Sequence, residues 1–411
     1  MSMKILQVNV VYKKGSTGKI TYDIHKCLLD SGIESVVCYG RGKRVKEPGV
    51  FKTCSEWYSK FNNALSRFTG IMYGGCFFST NKLISSIKKE KPNIVHLQCV
   101  NGYFVNIYRL ISWLNKCGIK TLLTLHAEFM YTANCGHALD CDCWKTGCGN
   151  CPRRKTETKS FLFDKTGTSW KKMKKAFDGF EKDLMVVSVS PWLMDRAKQS
   201  PILKNMRHCV VFNGVNTDVF HPYDTTDLRK SHHCEGKKVV FHATTSFSAD
   251  INHLKGGYYI LELARNMPEV QFIVAGKCDG EIEVSENVIL LGQLTDQVML
   301  AHYYSMADVT VITSKKETFS MVVAESLCCG TPVVGFKAGA PEQIAIAAYS
   351  DFVEYGDMSK LMESVSKKIT LFEAQSESVF KAAYSRYDSK VMFEKYMKLY
   401  ESILRNSVGE K

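Results

Sequence analysis

The chain has 411 residues, of which 45% are hydrophobic and 23% are charged, and it contains 9 prolines. These proportions are typical of folded domains and exclude a disordered or collagen-like chain. Because a single core stops growing near about 250 residues, the length predicts two domains. Lys and Arg outnumber Asp and Glu by 54 to 41, which gives a formal net charge of +13.

The excess positive charge lies in the first half of the chain. Residues 1–200 hold 32 basic and 15 acidic side chains, a net charge of +17, whereas residues 201–411 hold 22 and 26, a net charge of −4. This asymmetry indicates that nucleic acid, an anionic membrane surface or an acidic substrate meets one domain only. The alternative is a basic surface without a specific partner.

Short apolar runs alternate with segments of helical periodicity along the whole chain. This pattern predicts parallel strands that are covered on both faces. The predicted strands of the first half are Lys4–Val11, Glu34–Cys38, Asn93–Leu97, Lys120–Leu125, Met185–Val189 and His208–Phe212. Those of the second half are Lys238–His242, Val270–Ala275, Val288–Leu291, Val309–Ile312 and Pro332–Gly335. Helices are predicted between them, for example over Thr21–Asp30 and Val105–Lys116.

The alternation predicts an α/β protein of two doubly wound domains. We place the first domain at residues 1–212, with a cysteine-rich insertion at 135–151, and a linker at 213–236. The second domain is placed at 237–385, and a final amphipathic helix at 386–411 is expected to pack onto one of the domains, the N-terminal one being the candidate. Ligands of such folds bind beyond the carboxyl ends of the strands, so we expect a site in the cleft between the domains.

The start of the chain bears on location. The first residues lack the basic start, the long apolar run and the cleavage site of a secretory signal, and they predict a first strand instead. No apolar stretch is long and uninterrupted enough for a membrane-spanning helix. We therefore expect a cytoplasmic protein that keeps its 16 cysteines as thiols.

A candidate anion site lies between the predicted strand ending at Ile312 and the next strand. A helix that begins near Ser320 would present the N–H groups of Ser320, Met321 and Val322 and its positive dipole end to a ligand. Glu317 and Glu325 would lie on either side, where carboxylates accept bonds from hydroxyl groups. Phosphate flanked by hydroxyls describes a sugar nucleotide. The alternative is a capping Glu317 and a solvated Glu325.

Other candidates follow predicted strands. Lys255 comes after Val239–His242 and would neutralise negative charge on a diphosphate leaving group. Gly15 and Gly18 form a glycine-containing loop after the first strand, which would let the backbone approach phosphates. His126 ends the strand Lys120–Leu125 and would contact a sugar hydroxyl as a neutral imidazole. His96 either lines the acceptor site or is structural, and each of the other groups has an ordinary structural alternative.

These segments, together with the connector Asn213–Pro222, resemble glycosyltransferase family four in the family's own order. The likeness covers most of the chain and points to bacterial polysaccharide-type members. It implies a retaining enzyme with two Rossmann-like domains facing across a cleft, the GT-B fold. It also implies donor binding through the segment from Glu317 to Glu325, Phe319 included, with Glu317 on the donor sugar and Glu325 on the ribose hydroxyls.

The resemblance further implies that His126 lies against the donor sugar and that Lys255 meets the leaving phosphate, so His126, Glu317 and Lys255 are the predicted catalytic residues. The chain departs from the family where an arginine usually precedes this lysine, because position 249 is alanine. We expect Asn252, His253 or an arginine elsewhere to compensate. The family's acidic residue after the histidine is replaced by Ala127, with Glu128 following.

Five cysteines fall between residues 135 and 151. Cys148 and Cys151 have zinc-knuckle spacing, and Cys135 and Cys141 would complete a closed site of four thiolates. Some bacterial family members carry a similar insertion, and that match selects Cys141 over Cys143. Such a zinc ion would be structural, and we expect no catalytic metal. A disulfide or free thiols are the alternatives.

Basic segments of the first domain include Arg41–Lys46, Arg153–Lys155 and Lys171–Lys175. In the segment Trp57–Met72, apolar residues recur at helical spacing with basic residues alongside. This indicates an interfacial helix for an anionic membrane or, alternatively, a helix packed on its own sheet.

The sequence therefore predicts a cytoplasmic enzyme, peripheral on the inner face of the membrane. It would move a sugar from a nucleoside diphosphate sugar to a hydroxyl of a lipid-linked glycan in bacterial surface polysaccharide biosynthesis. A nucleotide-sugar epimerase or hydrolase of the same fold is an alternative. A zinc-stabilised nucleic-acid-binding protein is another, but it leaves Glu317 and Glu325 unexplained and no aromatic-basic RNA-binding signature is present, so we expect no nucleic acid partner.

Overall fold

The computed structural model describes residues 3–371 and 376–405. The chain forms two compact units, one made of Met1–Val211 with Phe393–Lys411 and the other of Phe212–Met392. Each unit contains a parallel β-sheet with helices in its connections, as the alternating pattern predicts. None of the helices in the described part of the chain combines the length and hydropathy required to span a bilayer.

The first unit has a sheet of seven parallel strands in the order β3-β2-β1-β4-β5-β6-β7. The strands are β1 Lys4–Asn9, β2 Glu34–Tyr39, β3 Val50–Lys52, β4 Ile94–Leu97, β5 Thr121–Leu125, β6 Leu184–Ser188 and β7 Arg207–Val210. The helices are α1 Gly15–Asp30, α2 Glu56–Thr69, α3 Phe77–Glu90, α4 Ile107–Lys116, α5 Phe129–Thr132, α6 Thr166–Phe177 and α7 Pro191–Gln199. The central strands are buried because helices cover both faces.

The second unit has six parallel strands in the order β10-β9-β8-β11-β12-β13. The strands are β8 Val239–Phe247, β9 Gln271–Cys278, β10 Val288–Gly292, β11 Val309–Ile312, β12 Val333–Phe336 and β13 Ser350–Val353. The helices are α8 Thr226–Ser231, α9 Gly257–Asn266, α10 Gln297–Met306, α11 Met321–Cys328, α12 Pro341–Ile344, α13 Met358–Leu371 and α14 Ser376–Tyr387. Apolar residues of the strands and of α9 and α13 form its core.

The last helix, α15 Ser389–Arg405, enters the first unit from Phe393 onward. There Tyr396, Tyr400 and Ile403 are buried. The hydroxyl of Tyr400 lies 2.7 Å from Nδ1 of His96 on β4. Residues 406–411 of the helix predicted over 386–411 lie outside the described residues.

Three local features differ from the predictions. Helix α1 begins at Gly15 and not at Thr21, so Gly15 and Gly18 lie in a helical turn and not in a loop. The helix predicted through Met72 ends at Thr69, because Gly70 adopts a left-handed φ of 72°. Met72 is buried beyond that end. The short outer strands β3 and β13 were not predicted, since neither is a continuous apolar run.

Candidate active site

In the second unit, the loops after β8 and β11 bring Lys255 and Glu317 together. Nζ of Lys255 lies 2.6 Å from Oε1 of Glu317. The Lys255 loop packs against the end of β11, where the hydroxyl of Thr313 donates to the Lys255 carbonyl over 3.2 Å. Glu317 is held by its backbone, because its N–H donates to the carbonyl of Ala338 over 3.0 Å. Two residues that are 62 positions apart in the chain thus form one charged pair.

Helix α11 begins four residues after Glu317 and has an uncapped amino-terminal end. Ser320 precedes the helix with a φ of 80°, and in the described structure no side chain caps the helix. Backbone N–H groups at this end are therefore available to an anion, and the helix dipole adds partial positive charge. Met321 and Val322 are half-buried in the first turn. The structure thus places the predicted N–H donors just after the Lys255–Glu317 pair.

Phe319, which was predicted to take part in donor binding, is buried in the second unit. Its ring lies 5.9 Å from that of Phe212, edge to face. The guanidinium of Arg386 in turn lies over the Phe212 ring, 5.1 Å from its centre. The side chain of Phe319 therefore anchors the loop between Glu317 and α11.

Glu325 is half-buried in the second turn of α11 and accepts a hydrogen bond from a tyrosine that the sequence did not single out. The hydroxyl of Tyr304 lies 3.3 Å from Oε2 of Glu325. Burial raises the pKa of Tyr304, and the Glu325 carboxylate raises it further, so the phenol stays protonated and donates. Tyr304 is on α10, and its carbonyl accepts from the Thr331 hydroxyl over 2.6 Å. The orientation of Glu325 therefore depends on α10.

His242 adds a second group that was missed. Its Nδ1 lies 2.8 Å from the carbonyl oxygen of Val311, so Nδ1 carries the proton. Burial lowers the pKa of His242 to about 4, with the nearby Lys255 ammonium acting in the same direction. The neutral ring leaves Nε2 as a buried acceptor without a partner among the described residues.

The expected substitutes for the missing arginine have other partners. Ala249 is exposed at the tip of the loop after β8. The side chain of Asn252 donates to Oδ1 of Asp250 over 3.3 Å. Nε2 of His253 lies 3.7 Å from Oδ2 of Asp279. Lys255 is thus the cation that the structure places on Glu317.

In the first unit, His126 follows β5 and is half-buried. Its Nε2 lies 2.8 Å from Oε1 of Gln98, which requires the proton on Nε2 and makes Nδ1 the acceptor. Burial lowers the pKa of His126 to about 4, so the imidazole is neutral near pH 7. His96 is fully buried between Tyr400 and Thr124, with Nε2 lying 2.8 Å from the Thr124 hydroxyl. This arrangement favours the structural interpretation of His96.

Glu128, two residues after His126, is a buried carboxylate with a full set of donors. Oε1 accepts from Nε of Arg196 at 2.6 Å and from the Tyr131 hydroxyl at 2.5 Å. Oε2 accepts from the backbone N–H of Ala138 at 2.6 Å. Burial disfavours the charged guanidinium, but Glu128 outweighs this effect and the pKa of Arg196 is raised. Glu128 therefore fixes the beginning of the cysteine-rich segment.

Gly15 and Gly18, which were predicted to meet the donor phosphates, occupy the first turn of α1. Gly15 has a φ of 63° and is exposed, whereas Gly18 is buried. The N–H of Lys13 donates to the Gly18 carbonyl over 3.0 Å, which closes the turn. A Cβ atom on Gly18 would lie 3.1 Å from the Val11 side chain, so glycine allows the helix to approach the segment that follows β1.

The cysteine-rich segment is held by buried aromatic side chains. Trp144 is buried and donates from Nε1 to the Cys141 carbonyl over 2.8 Å. Trp170 of α6 donates to the Trp144 carbonyl over 2.9 Å. All cysteines of the described residues are thiols, those predicted to bind zinc (Cys135, Cys141, Cys148 and Cys151) included.

The thiols of this segment lie near one another. Burial raises the pKa of Cys148 to about 12, and Cys141, Cys151 and Cys143 act in the same direction. Within the described ranges, however, no three Cys, His, Asp or Glu side chains are arranged to hold a metal ion. The four sulfur atoms thus do not have zinc-site geometry in this conformation.

The chain is similar to known proteins in both sequence and fold. Residues 228–384 match the family model described as glycosyl transferases group 1. Over 98% of this chain and 100% of the relative, the sequence is 22% identical to an Escherichia coli (strain K12) protein named as the colanic acid biosynthesis glycosyl transferase WcaC.

Two solved structures share the fold over nearly their full lengths. Sucrose-phosphate synthase from Thermosynechococcus elongatus has a TM-score of 0.68 at 14% identity, covering 98% of this chain and 99% of that chain. HepE from Anabaena, solved in complex with UDP-glucose, has a TM-score of 0.64 at 16% identity, covering 97% of this chain and 100% of that chain.

Proposed function

We propose that the chain is a group 1 glycosyltransferase, and that it transfers a sugar from a nucleoside diphosphate sugar to a hydroxyl of a glycan acceptor with retention of anomeric configuration. The observation that carries the donor site is the 2.6 Å pair of Lys255 and Glu317 just before the uncapped end of α11. HepE was solved with UDP-glucose, which supports a nucleotide-sugar donor.

Each group of the site has a defined role in this proposal. Lys255 moves from Glu317 to the diphosphate and, with the N–H groups of α11, stabilises the charge that develops as the sugar–phosphate bond breaks. Glu317 then accepts a bond from a hydroxyl of the donor sugar, and Glu325 accepts bonds from the ribose hydroxyls. Positive charge from Lys255 and α11 takes the place of a divalent cation, so we expect transfer to continue in EDTA.

We also assign the acceptor to a class. The E. coli relative is named for colanic acid biosynthesis, which supports a growing bacterial surface polysaccharide as the acceptor. We further propose that this acceptor is lipid-linked and that the enzyme acts at the cytoplasmic face of the membrane. His126, neutral near pH 7, is proposed to contact a sugar hydroxyl.

The central test compares two glutamates. Glu325→Gln is expected to raise the donor KM at least tenfold, because an amide replaces a carboxylate acceptor, whereas Glu283→Gln, at an exposed position of the same unit, leaves the KM unchanged. Donors are first identified by thermal shift with a panel of nucleotide sugars that includes UDP-glucose. Unchanged donor saturation in Glu325→Gln contradicts the ribose role.

Product analysis tests the reaction itself. The anomeric configuration of donor and product, read by NMR, is expected to be the same. Inversion contradicts the retaining mechanism. Free sugar or an epimerised nucleotide sugar formed without acceptor, together with no transfer, identifies a hydrolase or an epimerase instead.

We further propose that Cys135, Cys141, Cys148 and Cys151 hold a structural zinc ion. Four thiolates form a closed tetrahedral site, and the four cysteines carry no disulfide in the described structure. Their side chains must rotate to reach metal geometry. Metal analysis of the purified chain is expected to find one zinc, retained in Cys143→Ser and lost in Cys148→Ser. A zinc content near zero contradicts the site.

A further inference from the structure

Three neighbouring segments of the first unit expose large apolar side chains. On α2, Trp57 is 73% exposed and stacks on Phe61 with ring centres 5.8 Å apart. At the start of α3, Phe78 is 79% exposed, and its ring lies 5.9 Å from that of Tyr58 on α2. The beginnings of α2 and α3 therefore form one apolar surface.

The third segment is the loop Phe161–Phe163, which precedes α6. Its three side chains, Phe161, Leu162 and Phe163, are 59%, 60% and 53% exposed. The N–H of Phe161 donates to the carbonyl of Arg67 on α2 over 3.2 Å. The carbonyl of Phe163 lies so close to Gly70 that an added Cβ there would be 2.4 Å away. The loop thus extends the surface along α2, where Leu65 and Phe68 are also exposed.

We call these exposed residues of α2, the start of α3 and the loop the aromatic surface. Single exposed apolar residues are ordinary, but a contiguous patch marks a surface that another body covers. The chain segments that carry the aromatic surface are rich in basic residues. Residues 57–89 contain five basic side chains and no acidic one, and residues 153–177 contain nine basic and two acidic side chains.

A basic groove adjoins the aromatic surface at Phe77. The groove has a volume of about 560 Å³ and lies between α3, α4 and α6. One carboxylate, that of Asp178, lines the groove. The cations that line it are Arg109, Lys116, Lys172 and Lys175. All four are exposed, and none of them forms an ion pair among the interactions of the described residues. The groove therefore suits a phosphate group bound beside an apolar layer.

We propose that the aromatic surface enters the interfacial layer of an anionic lipid bilayer while the groove takes a lipid phosphate headgroup. Aromatic rings are favoured at the boundary between headgroups and acyl chains, and nearby lysines and arginines add attraction to anionic lipid. Exposed rings beside cations without counter-charges fit the boundary of an anionic bilayer, which offers an apolar layer next to negative headgroups. Nothing in this combination points to a protein partner. The inference rests on the proposed function only in explaining how the enzyme reaches a lipid-linked acceptor.

The test measures flotation of the full chain with vesicles, in the absence of any sugar substrate. Binding is expected with mixed phosphatidylglycerol and phosphatidylcholine vesicles and at least tenfold weaker with phosphatidylcholine alone, and it should weaken with salt. Replacing Phe161, Leu162 and Phe163 together by serine is expected to reduce binding at least tenfold. Lys172→Gln with Lys175→Gln is expected to reduce it by roughly fivefold per cation.

Lys360→Gln with Lys381→Gln is the matched control, because both lysines are exposed in the second unit. It is expected to bind vesicles as the wild type does. Equal binding to neutral and anionic vesicles, no binding to either, or full binding by the serine variant overturns the proposal. Donor-induced thermal shifts are measured on the same variants. An unchanged shift shows that they are folded and that the donor site is intact, so that failure of membrane binding and failure of the proposed reaction are separate results.

Discussion

The buried carboxylate of Glu128 offers a sharp test of how the first unit is held together. The change is Glu128→Gln, which keeps the size of the side chain and removes its charge. In the native protein three donors meet this carboxylate, from Arg196, Tyr131 and the Ala138 backbone, all within 2.6 Å. If the amide oxygen replaces Oε1, the amide nitrogen faces the N–H of Ala138, donor against donor.

The cost can be worked from these contacts. The substitution loses one hydrogen bond and leaves the Arg196 guanidinium, whose side chain is only 15% exposed, without its counter-charge. Removing one member of a buried ion pair costs about 3–5 kcal/mol. For a unit of this size each kcal/mol lowers the melting temperature by roughly 2–4 °C, so we expect a decrease of about 6–20 °C.

The assay is thermal and denaturant unfolding, with Glu181→Gln as the control because that side chain has solvent access. The double variant Glu128→Gln with Arg196→Gln removes the unpaired charge and is expected to recover part of the loss. An unfolding free energy for Glu128→Gln within about 1 kcal/mol of wild type refutes the reasoning. So does a double variant whose loss equals the sum of the single losses.

Three further predictions concern the donor site and acid stability. Tyr304→Phe is expected to raise the donor KM about threefold to tenfold with kcat unchanged, because Glu325 loses a neutral hydrogen-bond donor; an unchanged KM in steady-state kinetics contradicts this. Glu317→Gln is expected to bind nucleoside diphosphate at least as tightly as wild type by calorimetry while transfer falls at least a hundredfold, since Lys255 is released but the sugar contact is lost. Burial lowers the pKa of His96 to about 3, so below about pH 6.5 the unfolded chain binds a proton that the folded chain does not, and stability is lost as the pH falls from there toward 3. Unfolding midpoints measured from pH 7 to 5 are therefore expected to fall less steeply in His96→Gln than in wild type. Equal slopes contradict the assignment.

Much of the fold follows from local pattern. The eleven predicted strands all lie on observed strands, because a parallel strand buried on both faces must be a short apolar run. The two missed strands, β3 and β13, lie at sheet edges, where less burial is required and no such run is needed. The start of α1 was misplaced because Gly15 and Gly18 resemble a loop, although Gly18 serves the close approach of the helix to Val11, just after β1.

The positions of Glu317 and Lys255 were predictable because each follows a predicted strand. The contacts between residues that lie far apart in the chain were not predictable. The bond between His96 and Tyr400 joins residues 304 positions apart, and that between Glu128 and Arg196 joins residues 68 apart. Tyr304 and His242 belong to the same class of long-range partners. The loop Phe161–Phe163 carries no periodicity, so its place beside α2 emerges only from the folded chain.

The pairing of Lys255 with Glu317 has a consequence for the order of events in the proposed reaction. Without donor, the cation proposed for phosphate and the carboxylate proposed for the sugar neutralise each other at 2.6 Å, with side chains that are 31% and 19% exposed. A free sugar offers nothing to replace Glu317 at the ammonium, whereas a diphosphate does. Binding of the phosphates therefore releases Glu317 at the moment when the attached sugar arrives beside it. The pair thus favours the intact nucleotide sugar over its separate parts, since only the intact donor satisfies both charges at once.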